Sequence, residues 1–538
     1  MTALNATGVP ARSDVVIIGA GHNGLVSAIL LARAGLSVVV LEASDVIGGA
    51  ARTEYPFAKA PGLGHSTGSY LLGLMPPELL HTLDIDIPVL RRDPHYFLPT
   101  PGPAGSPHLL FGRDQAATRD QLERFFSRRD VAADEQLAVE IGALRADLAP
   151  AWLQEPGSVE QIADRYIRPP LQSTFIDLVR GSVADYLARF GFKSELLMSM
   201  YAVTDGLSGV NAGPDDPGTG HNFLVHNMCR LPGSDGTWMI AEGGMGTVTH
   251  LFADAARAAG AQIFPNTPVE AVTVAGGAAN GVVLADGSEL TARVVLGACD
   301  PYRLIDLVPD GSLPSSLTSR MAAVKRTGTT LKLNLALRGL PDFTCLPPGS
   351  ASPFGSTIHL LPGSAGLSGN AGSDSPMAAL RAMWADVQAG LLPEEPTIEW
   401  YLHTTVDPSL RDAEGHHSSA LFVQSVPFSP AGSSWERELP AYVDKLLDIC
   451  ERYAPGTRDL IVDMMPLTPP AIEKHFGITG GHIHHVDNTV AFDERMPYYT
   501  GLDGLYAGSA GAHPAGSVIG AAGHNAANRI LRDLGLPA

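Results

Sequence analysis

Cysteine is scarce in this chain, which has four in 538 residues, at positions 229, 299, 345 and 450. No two of them are spaced as CxxC or CxxxxC, so the sequence predicts neither a zinc site nor a dithiol–disulfide redox centre. A pyridine-nucleotide disulfide reductase is disfavoured for the same reason, and because the sequence has no second complete GxGxxG motif. Sparse, scattered thiols are typical of a reducing compartment.

Long apolar runs and excess positive charge are also missing. No uninterrupted apolar stretch is long enough to cross a bilayer, and the opening "MTALNATGVPARSD" lacks the apolar core of a secretory signal. The chain has 36 Lys and Arg against 56 Asp and Glu, a formal net charge of −20. Because this charge repels phosphates, we expect no nucleic-acid partner. We expect a cytoplasmic enzyme of two or three domains, and peripheral membrane contact stays open.

The most informative stretch is "VVIIGAGHNGLVSAILLARAGLSVVVLEAS", residues 15–44. Its β-branched start, 15–18, predicts a strand buried on both faces of a parallel sheet. A helix is predicted from about 23 to 34, with Gly35 as its C-terminal cap. Residues 37–41 predict a second parallel strand. The stretch therefore predicts one βαβ unit.

The glycines of this unit have separate roles. Gly19 permits a tight turn, Gly21 lets the backbone approach a bulky group, and Gly24 lets the helix pack closely on the strand. The helix N-terminus then points at a diphosphate. Glu42 ends the second strand, where its carboxylate accepts hydrogen bonds from ribose hydroxyls and disfavours a 2′-phosphate. The unit predicts dinucleotide binding, the alternative being a tight turn that binds nothing.

The next stretch, "SDVIGGAARTEY", adds Gly48, Gly49 and Arg52 just beyond the ribose carboxylate. It resembles the extension found in glutathione-reductase-like flavoproteins, where this segment reaches the FAD diphosphate and the flavin. The resemblance implies that these three residues contact FAD.

A second stretch, residues 242–272, has a glycine turn, a helix and a strand. We expect the helix to bury its Leu251, Ala255 and Ala259 side and the strand to end near Val269. The resemblance to these flavoproteins implies that the backbone of Val269 holds the adenine. An ordinary helix–strand unit is the alternative.

A third stretch, residues 501–531, contains a short strand at 505–507, Gly508, and a glycine-rich turn over 513–516. A helix is predicted to start near Ser517 or Val518. Glycines let the backbone, at Gly516 above all, lie against a flat ring, and a helix N-terminus stabilises the negative charge of a reduced flavin. This stretch favours FAD over NAD.

Taken in order, these segments resemble the phytoene desaturase-like (phytoene dehydrogenase-related) branch of FAD-dependent oxidoreductases. That branch lies within the amine oxidase and glutathione-reductase-like flavoprotein superfamily. Further segments that carry the likeness are residues 65–80, 182–197, 217–227 and 468–487. Some amine oxidases anchor their flavin through a cysteine near the C-terminal motif. "YAGSAGAHP" has none, so we expect noncovalent FAD.

The resemblance implies an α/β fold with a Rossmann-like FAD-binding domain of glutathione-reductase type. We expect this discontinuous domain to comprise residues 10–75, 235–305 and 480–538. A discontinuous α+β substrate domain is expected from 76–234 and 306–479, with residues 115–200 as a helical cap over the flavin.

The floor of the substrate pocket is expected to be a mixed sheet. Residues 327–340 and 418–428 alternate like half-buried strands, and 397–406 joins them. The glycine- and serine-rich segment 361–376 predicts a mobile surface loop.

Catalytic residues are harder to predict, since hydride transfer to a flavin needs a dry, aligned slot rather than an acid or a base. His513 lies on the loop expected at the ring, where it orients substrate or flavin, or only bonds the backbone of its turn. Lys332 lies on the polar face of its predicted strand. Resemblance to amine oxidases implies a lysine acting through a water beside the flavin. A solvated or structural lysine is the alternative.

A histidine cluster looks at first like a metal site. In "GGHIHHVD", Asp487 follows three histidines and could complete a metal site with them. The family that the chain resembles binds no metal at this segment. We therefore expect these histidines to line a pocket or to pack in the core, and we expect no metal. The histidines concerned, with three further pocket candidates, are His482, His484 and His485, and His65, His221 and His226.

The predicted function is oxidation of a mostly apolar, polyene- or terpenoid-like small molecule by hydride removal, with electrons passed to oxygen or a quinone. Redox-neutral isomerisation or saturation of a polyene, and amine oxidation, are alternatives. So is a flavoprotein without turnover that serves as a binding partner. The oligomeric state, the electron acceptor and the substrate stay open.

Overall fold

The computed structural model describes residues 8–364 and 375–537. Most of the predicted surface loop at 361–376 therefore lies outside the described residues. The strands are β1 (Arg12–Ile18), β2 (Val38–Leu41), β3 (Thr53–Glu54), β4 (His65–Ser66), β5 (Val89–Leu90), β6 (Tyr96–Pro99), β7 (His108–Phe111), β8 (Ile240–Ala241), β9 (Gln262–Phe264), β10 (Val269–Ala275), β11 (Ala278–Leu284), β12 (Glu289–Gly297), β13 (Leu331–Leu337), β14 (Thr357–Leu360), β15 (Thr397–Leu402), β16 (His417–Gln424), β17 (Ile461–Leu467) and β18 (Leu505–Ala507).

Helices occupy much of the remaining chain. The α-helices are α1 (His22–Arg33), α2 (Pro77–Leu83), α3 (Gln115–Phe125), α4 (Arg128–Leu148), α5 (Val159–Tyr166), α6 (Gln172–Arg180), α7 (Val183–Ala188), α8 (Glu195–Tyr201), α9 (Thr219–His226), α10 (Met245–Ala258), α11 (Pro301–Leu307), α12 (Ser315–Val324), α13 (Pro376–Gln388), α14 (Trp435–Tyr453), α15 (Thr457–Leu460), α16 (Pro469–Phe476) and α17 (Ala521–Asp533). A π-helical turn covers Ala202–Leu207. Short 3-10 turns cover Ala149–Leu153, Pro169–Leu171, His403–Thr405, Pro408–Leu410, Thr479–Gly481 and Phe492–Glu494. None of the described helices combines the length and the apolar character needed to cross a membrane.

The first sheet has the order β10-β11-β12-β1-β2-β9, with β18 beside β12. Its centre is parallel, because β1 pairs in parallel with both β2 and β12. Val15 and Ile17 pack into the core on one face of the sheet, and Val16 and Ile18 pack into the core on the other. The apolar run at 15–18 is thus part of a strand that is buried on both faces. The fold is mixed α/β and contains a Rossmann-like domain.

The second sheet has the order β17-β13-β16-β15-β14-β6-β7. Leu331, Leu333 and Leu335 point into an apolar core that also contains Trp400 and Leu446 of α14. The expectation that these strands are half-buried is wrong. All residues of β13, β15 and β16 are buried, since the polar face is covered as well.

Three segments begin, end or pack differently from the prediction. In α10 the fully buried side chains include Val248, Phe252 and Ala256, whereas the predicted Leu251, Ala255 and Ala259 are only partly buried. The buried face of the helix is therefore shifted by one residue from the predicted one. The prediction failed because this alanine-rich helix carries apolar residues on both of these neighbouring faces.

The strand expected to end near Val269 ends at Phe264, and Val269 instead begins β10. The C-terminal helix starts at Ala521 rather than near Ser517, because Gly520 at its N-terminal end has a φ of +78°. Ser517 and Val518 therefore belong to the loop before the helix.

Candidate active site

A cavity of about 500 Å³ lies between the carboxyl ends of the first sheet and the polar face of the second. Ile18 and Leu41, the last residues of β1 and β2, line one end of it. Lys332 of β13 and Glu399 of β15 line the other end. Ligands of open α/β sheets bind at the carboxyl ends of the strands, so the cavity joins a nucleotide-type end to a separate chamber.

The glycine turn forms the nucleotide-type end. Gly19 and Gly21 line the cavity. A Cβ on Gly24 would lie 2.3 Å from the carbonyl oxygen of Gly19 and 2.9 Å from Cβ of Ala298, so only glycine allows α1 to sit this close to the strand. Glu42 lines the cavity too. Its Oε2 accepts a hydrogen bond of 2.8 Å from the backbone N–H of Ala20.

This end of the cavity fits a dinucleotide. A Cβ on Gly21 would meet no protein atom within 4 Å, so the turn leaves room for a bulky group against the backbone. No side chain caps the N-terminus of α1, and its first amides have no intrahelical acceptor. The buried Nε2 of His22, which also lines the cavity, has no hydrogen-bond partner in the described part of the chain. Free donors at a helix N-terminus suit a diphosphate.

Some residues of the extension after Glu42 line the cavity, and others pack behind its lining. Gly48 and Gly49 line the cavity, and the Gly48 N–H donates to the carbonyl of Ala20 at 2.9 Å. Arg52 is not among the lining residues. Its guanidinium pairs with Glu54 at 3.2 Å and lies 5.1 Å from the ring centroid of Phe476. Val269 lines the nucleotide end.

The C-terminal loop meets the cavity through Ser517 and Val518. The predicted glycine contacts are different. A Cβ on Gly508 would lie 2.8 Å from Cβ of Ala526, and one on Gly516 would lie 2.3 Å from the carbonyl oxygen of His484. Both glycines are therefore packed against the protein on the side where a Cβ would lie, and the contact of the Gly516 backbone with a flat ring stays a prediction.

His513 does not reach the cavity lining. Its Nε2 lies 3.1 Å from the carbonyl oxygen of Ala151, and burial lowers the pKa of the ring to about 4. A buried, neutral imidazole bonded to backbone fits the packing alternative for His513. Its Nδ1 has no hydrogen-bond partner among the described residues, and its catalytic role stays a prediction.

Lys332 does line the cavity, although it is only 4% exposed. Its Nζ lies 4.1 Å from the ring centroid of Tyr70 and 4.5 Å from that of Phe422. Burial lowers the pKa of its ammonium to about 7. Lys332 is therefore not a solvated surface lysine, and its catalytic role stays a prediction.

Sequence reasoning missed Glu399. The strand register aligns Lys332 with Phe422, and Phe422 with Glu399, in one row across the sheet. Tyr401 donates to Glu399 Oε2 at 2.5 Å, and Gln424 Nε2 donates to Oε1 at 3.0 Å. Burial raises the pKa of Glu399 to about 8. The available signal was the alternation of polar Thr397, Glu399 and Tyr401 with apolar residues along this strand.

The histidines separate into lining and packing groups. His226, His484 and His485 line the cavity, and burial lowers the pKa of His226 to about 4 and of His484 to about 3. The others bond to neighbours: His65 to Ser418 and Asn334, His221 to the Asn488 carbonyl, and His482 to Asp487 at 2.9 Å. Within 8–364 and 375–537, no group of three or more His, Cys, Asp or Glu is arranged to hold a metal ion.

Comparison with known proteins agrees with this geometry. The NAD(P)-binding Rossmann-like domain profile matches residues 17–84, and the flavin containing amine oxidoreductase profile matches residues 120–387. A rat protein, pyridine nucleotide-disulfide oxidoreductase domain-containing protein 2, is 34% identical over 97% of this chain and 94% of its own length. The chain belongs to the family of this rat protein. This confirms the superfamily recognised from the motifs, and the protein is a flavin-dependent oxidoreductase.

Two further likenesses are more distant. One component of the limonene dehydrogenase of Castellaniella defragrans is 24% identical over 98% of this chain and 95% of that protein. The crystal structure of an oxidoreductase from Methanosarcina mazei superposes with a TM-score of 0.62 at 16% identity, covering 96% of this chain and all of that one. The structural likeness shows the shared fold. In this oxidoreductase all four cysteines are free.

Proposed function

We propose that this protein binds FAD noncovalently and removes hydride from a mostly apolar small molecule. The observation that carries the proposal is the continuity of the cavity, which runs from the glycine turn and Glu42 to the chamber containing Lys332 and Glu399. A cofactor at one end and a substrate at the other would share a single enclosed space.

Named residues would hold the cofactor. The free amides at the N-terminus of α1 would bind the diphosphate, and Glu42 would accept from the ribose hydroxyls. The backbone of Val269 would face the adenine, and the loop at Ser517 and Val518 would contact the flavin. A bound flavin supplies the two-electron acceptor.

The chamber walls support an apolar substrate. Large side chains surround it, and a dry chamber both orients a C–H bond and keeps water from the reacting atoms. The wall residues in question are Leu71, Tyr96, Trp238, Phe422, Phe476 and Ile483. The likeness to the limonene dehydrogenase component also supports a polyene- or terpenoid-like substrate. Electrons would pass on to oxygen or a quinone.

Noncovalent attachment is supported by the cysteines. Cys299 lines the cavity beside the glycine turn, and burial raises the pKa of its thiol. Because the thiolate is the nucleophilic form, Cys299 is a poor candidate for bonding to a flavin. Cys229, Cys345 and Cys450 are buried elsewhere.

The test begins with the purified protein, which should be yellow and release intact FAD on heat denaturation. Flavin retained by acid-precipitated protein would contradict noncovalent binding, and released FMN would contradict FAD. Polyenes, terpenoids and amines are then mixed with the protein without oxygen. Bleaching of the flavin by a polyene or terpenoid, with a product two hydrogens lighter, is the expected result.

The alternatives give other results in the same experiment. An isomerase or saturase would form product only after the flavin had been reduced chemically. A binding partner without turnover would be reduced by dithionite but by none of the candidate substrates.

A further inference from the structure

The chamber floor contains a buried lysine, Lys332, whose amino group has no hydrogen-bond acceptor among the described residues. Nothing in the described part of the chain forms a hydrogen bond or ion pair with Lys332 Nζ, which contacts the rings of Tyr70 and Phe422. An ammonium has three N–H donors. Aromatic faces attract its charge, but leaving buried donors without an acceptor costs free energy. The arrangement calls for an acceptor inside the cavity.

Glu399 does not fill that role. Its two carboxyl oxygens accept from Tyr401 and from Gln424. In the strand register Phe422 stands between Glu399 and Lys332, because each of them pairs with it from opposite sides. The raised pKa of Glu399 further reduces the negative charge at this floor near neutral pH.

A second buried cation lies behind the same wall. Arg92 is 1% exposed. It donates from Nε to the Trp238 carbonyl at 2.9 Å and from Nη1 to the Thr357 hydroxyl at 2.8 Å. Its Nη2 has no partner among the described residues. Both acceptors belong to residues that line the cavity. Among the described residues no carboxylate forms an ion pair with Lys332 or Arg92, although Glu399 is near enough for its charge to act on both.

This floor disfavours an amine. A substrate ammonium would bind between aromatic faces, but the space between Tyr70 and Phe422 is already occupied by the Lys332 ammonium. A substrate cation would also be repelled by Lys332 and Arg92. The complementary group is an anion with oxygen acceptors.

We propose that Lys332 forms a head-group subsite that binds the carboxylate of an otherwise apolar substrate. The proposal rests on the proposed function, since it takes the chamber as the substrate site. The apolar walls hold the tail, and the subsite orients the molecule by fixing one end of it.

The experiment uses the yellow holoprotein and three probes with the same tail, decanoate, decan-1-ol and decylamine. Their dissociation constants are measured by titration calorimetry and by the perturbation of the flavin spectrum. We expect decanoate to bind at least tenfold more tightly than either of the others. Lys332→Met should remove at least tenfold of the decanoate affinity while changing the decanol affinity by less than about twofold. Lys325→Met, a change at an exposed lysine, should alter neither.

Glu399→Gln gives a second variant that keeps the shape of the floor. Its decanoate affinity should be equal to or higher than that of the parent, because an amide carries none of the negative charge by which an ionised Glu399 would repel the decanoate carboxylate. Equal affinity for the three probes, no binding of any probe, or unchanged decanoate binding in Lys332→Met would overturn the subsite.

These results separate the subsite from the proposed function. Flavin bleaching by an uncharged polyene, without a preference for decanoate, would leave the oxidoreductase proposal intact and remove the subsite. A clear decanoate preference with no flavin reduction by any candidate would do the reverse.

Discussion

Substitution of Gly21 by valine tests the cofactor site without disturbing the fold. Gly21 has φ −72° and ψ 170°, which any L-residue adopts. A Cβ there meets no atom within 4 Å, so the protein has room for the new side chain. The space it would fill is the cavity at the N-terminus of α1, where we place the diphosphate.

The expected loss of affinity follows from the contacts that would be blocked. A diphosphate held away from the helix loses one or two hydrogen bonds from backbone amides, and a bond to a charged group contributes about 1.5–3 kcal/mol. One or two such bonds amount to about 1.5–6 kcal/mol. Since each 1.4 kcal/mol corresponds to tenfold, FAD affinity should fall by roughly 10- to 20,000-fold.

The assay is a titration of apoprotein with FAD, followed by flavin fluorescence, together with the melting temperature of the apoprotein. Gly142→Val is the matched control, because its Cβ also meets nothing within 4 Å but lies in α4, far along the chain from the turn. The control should bind FAD normally. Full flavin occupancy and an unchanged dissociation constant in Gly21→Val would refute binding of the diphosphate at this turn.

Three other changes have distinct expected outcomes. Glu42→Gln should weaken FAD binding by roughly 10- to 150-fold, the equivalent of 1.5–3 kcal/mol, and an unchanged titration would mean that Glu42 does not hold the ribose. Gly516→Val should lower the melting temperature, because its Cβ would lie 2.3 Å from the His484 carbonyl oxygen. Overpacking of this kind costs about 1–3 kcal/mol of folding free energy, so a normal melting temperature would contradict this packing. Lys332 has a pKa of about 7 in the folded protein against an ordinary value of 10.5. Between pH 7 and 10.5 the unfolded chain therefore binds more protons at this residue than the folded chain does, so the free energy of unfolding rises with pH. Lys332→Met should therefore be more stable than the parent near pH 7 and lose that advantage by about pH 10, in melting curves across pH; an advantage independent of pH would contradict the shifted pKa.

The sequence predicts the nucleotide end of the fold well for a physical reason. Gly19, Gly21 and Gly24 act mainly at the turn between the strand and helix of one βαβ unit, so local spacing carries most of the information, although Gly19 and Gly24 also face the backbone or side chain of Ala298. The same is true of the strand at 505–507, which the structure has as Leu505–Ala507.

The chamber could not be predicted in the same way. Lys332 and Glu399 come together through the pairing of β13 and β15 with β16, and no local pattern specifies that register. The motif placed His513 and Gly516 near the cofactor, but the direction of the His513 ring depends on its bond to Ala151, and the space beside Gly516 is filled by His484. Contacts between distant segments decide such positions.

A crystal structure of the yellow protein tests FAD binding in this cavity most directly. We expect electron density for FAD within the cavity, with its ribose at Glu42, its diphosphate at Gly21 and its flavin facing the chamber that contains Lys332. Flavin density outside this cavity, or a dinucleotide that leaves the glycine turn empty, would contradict it.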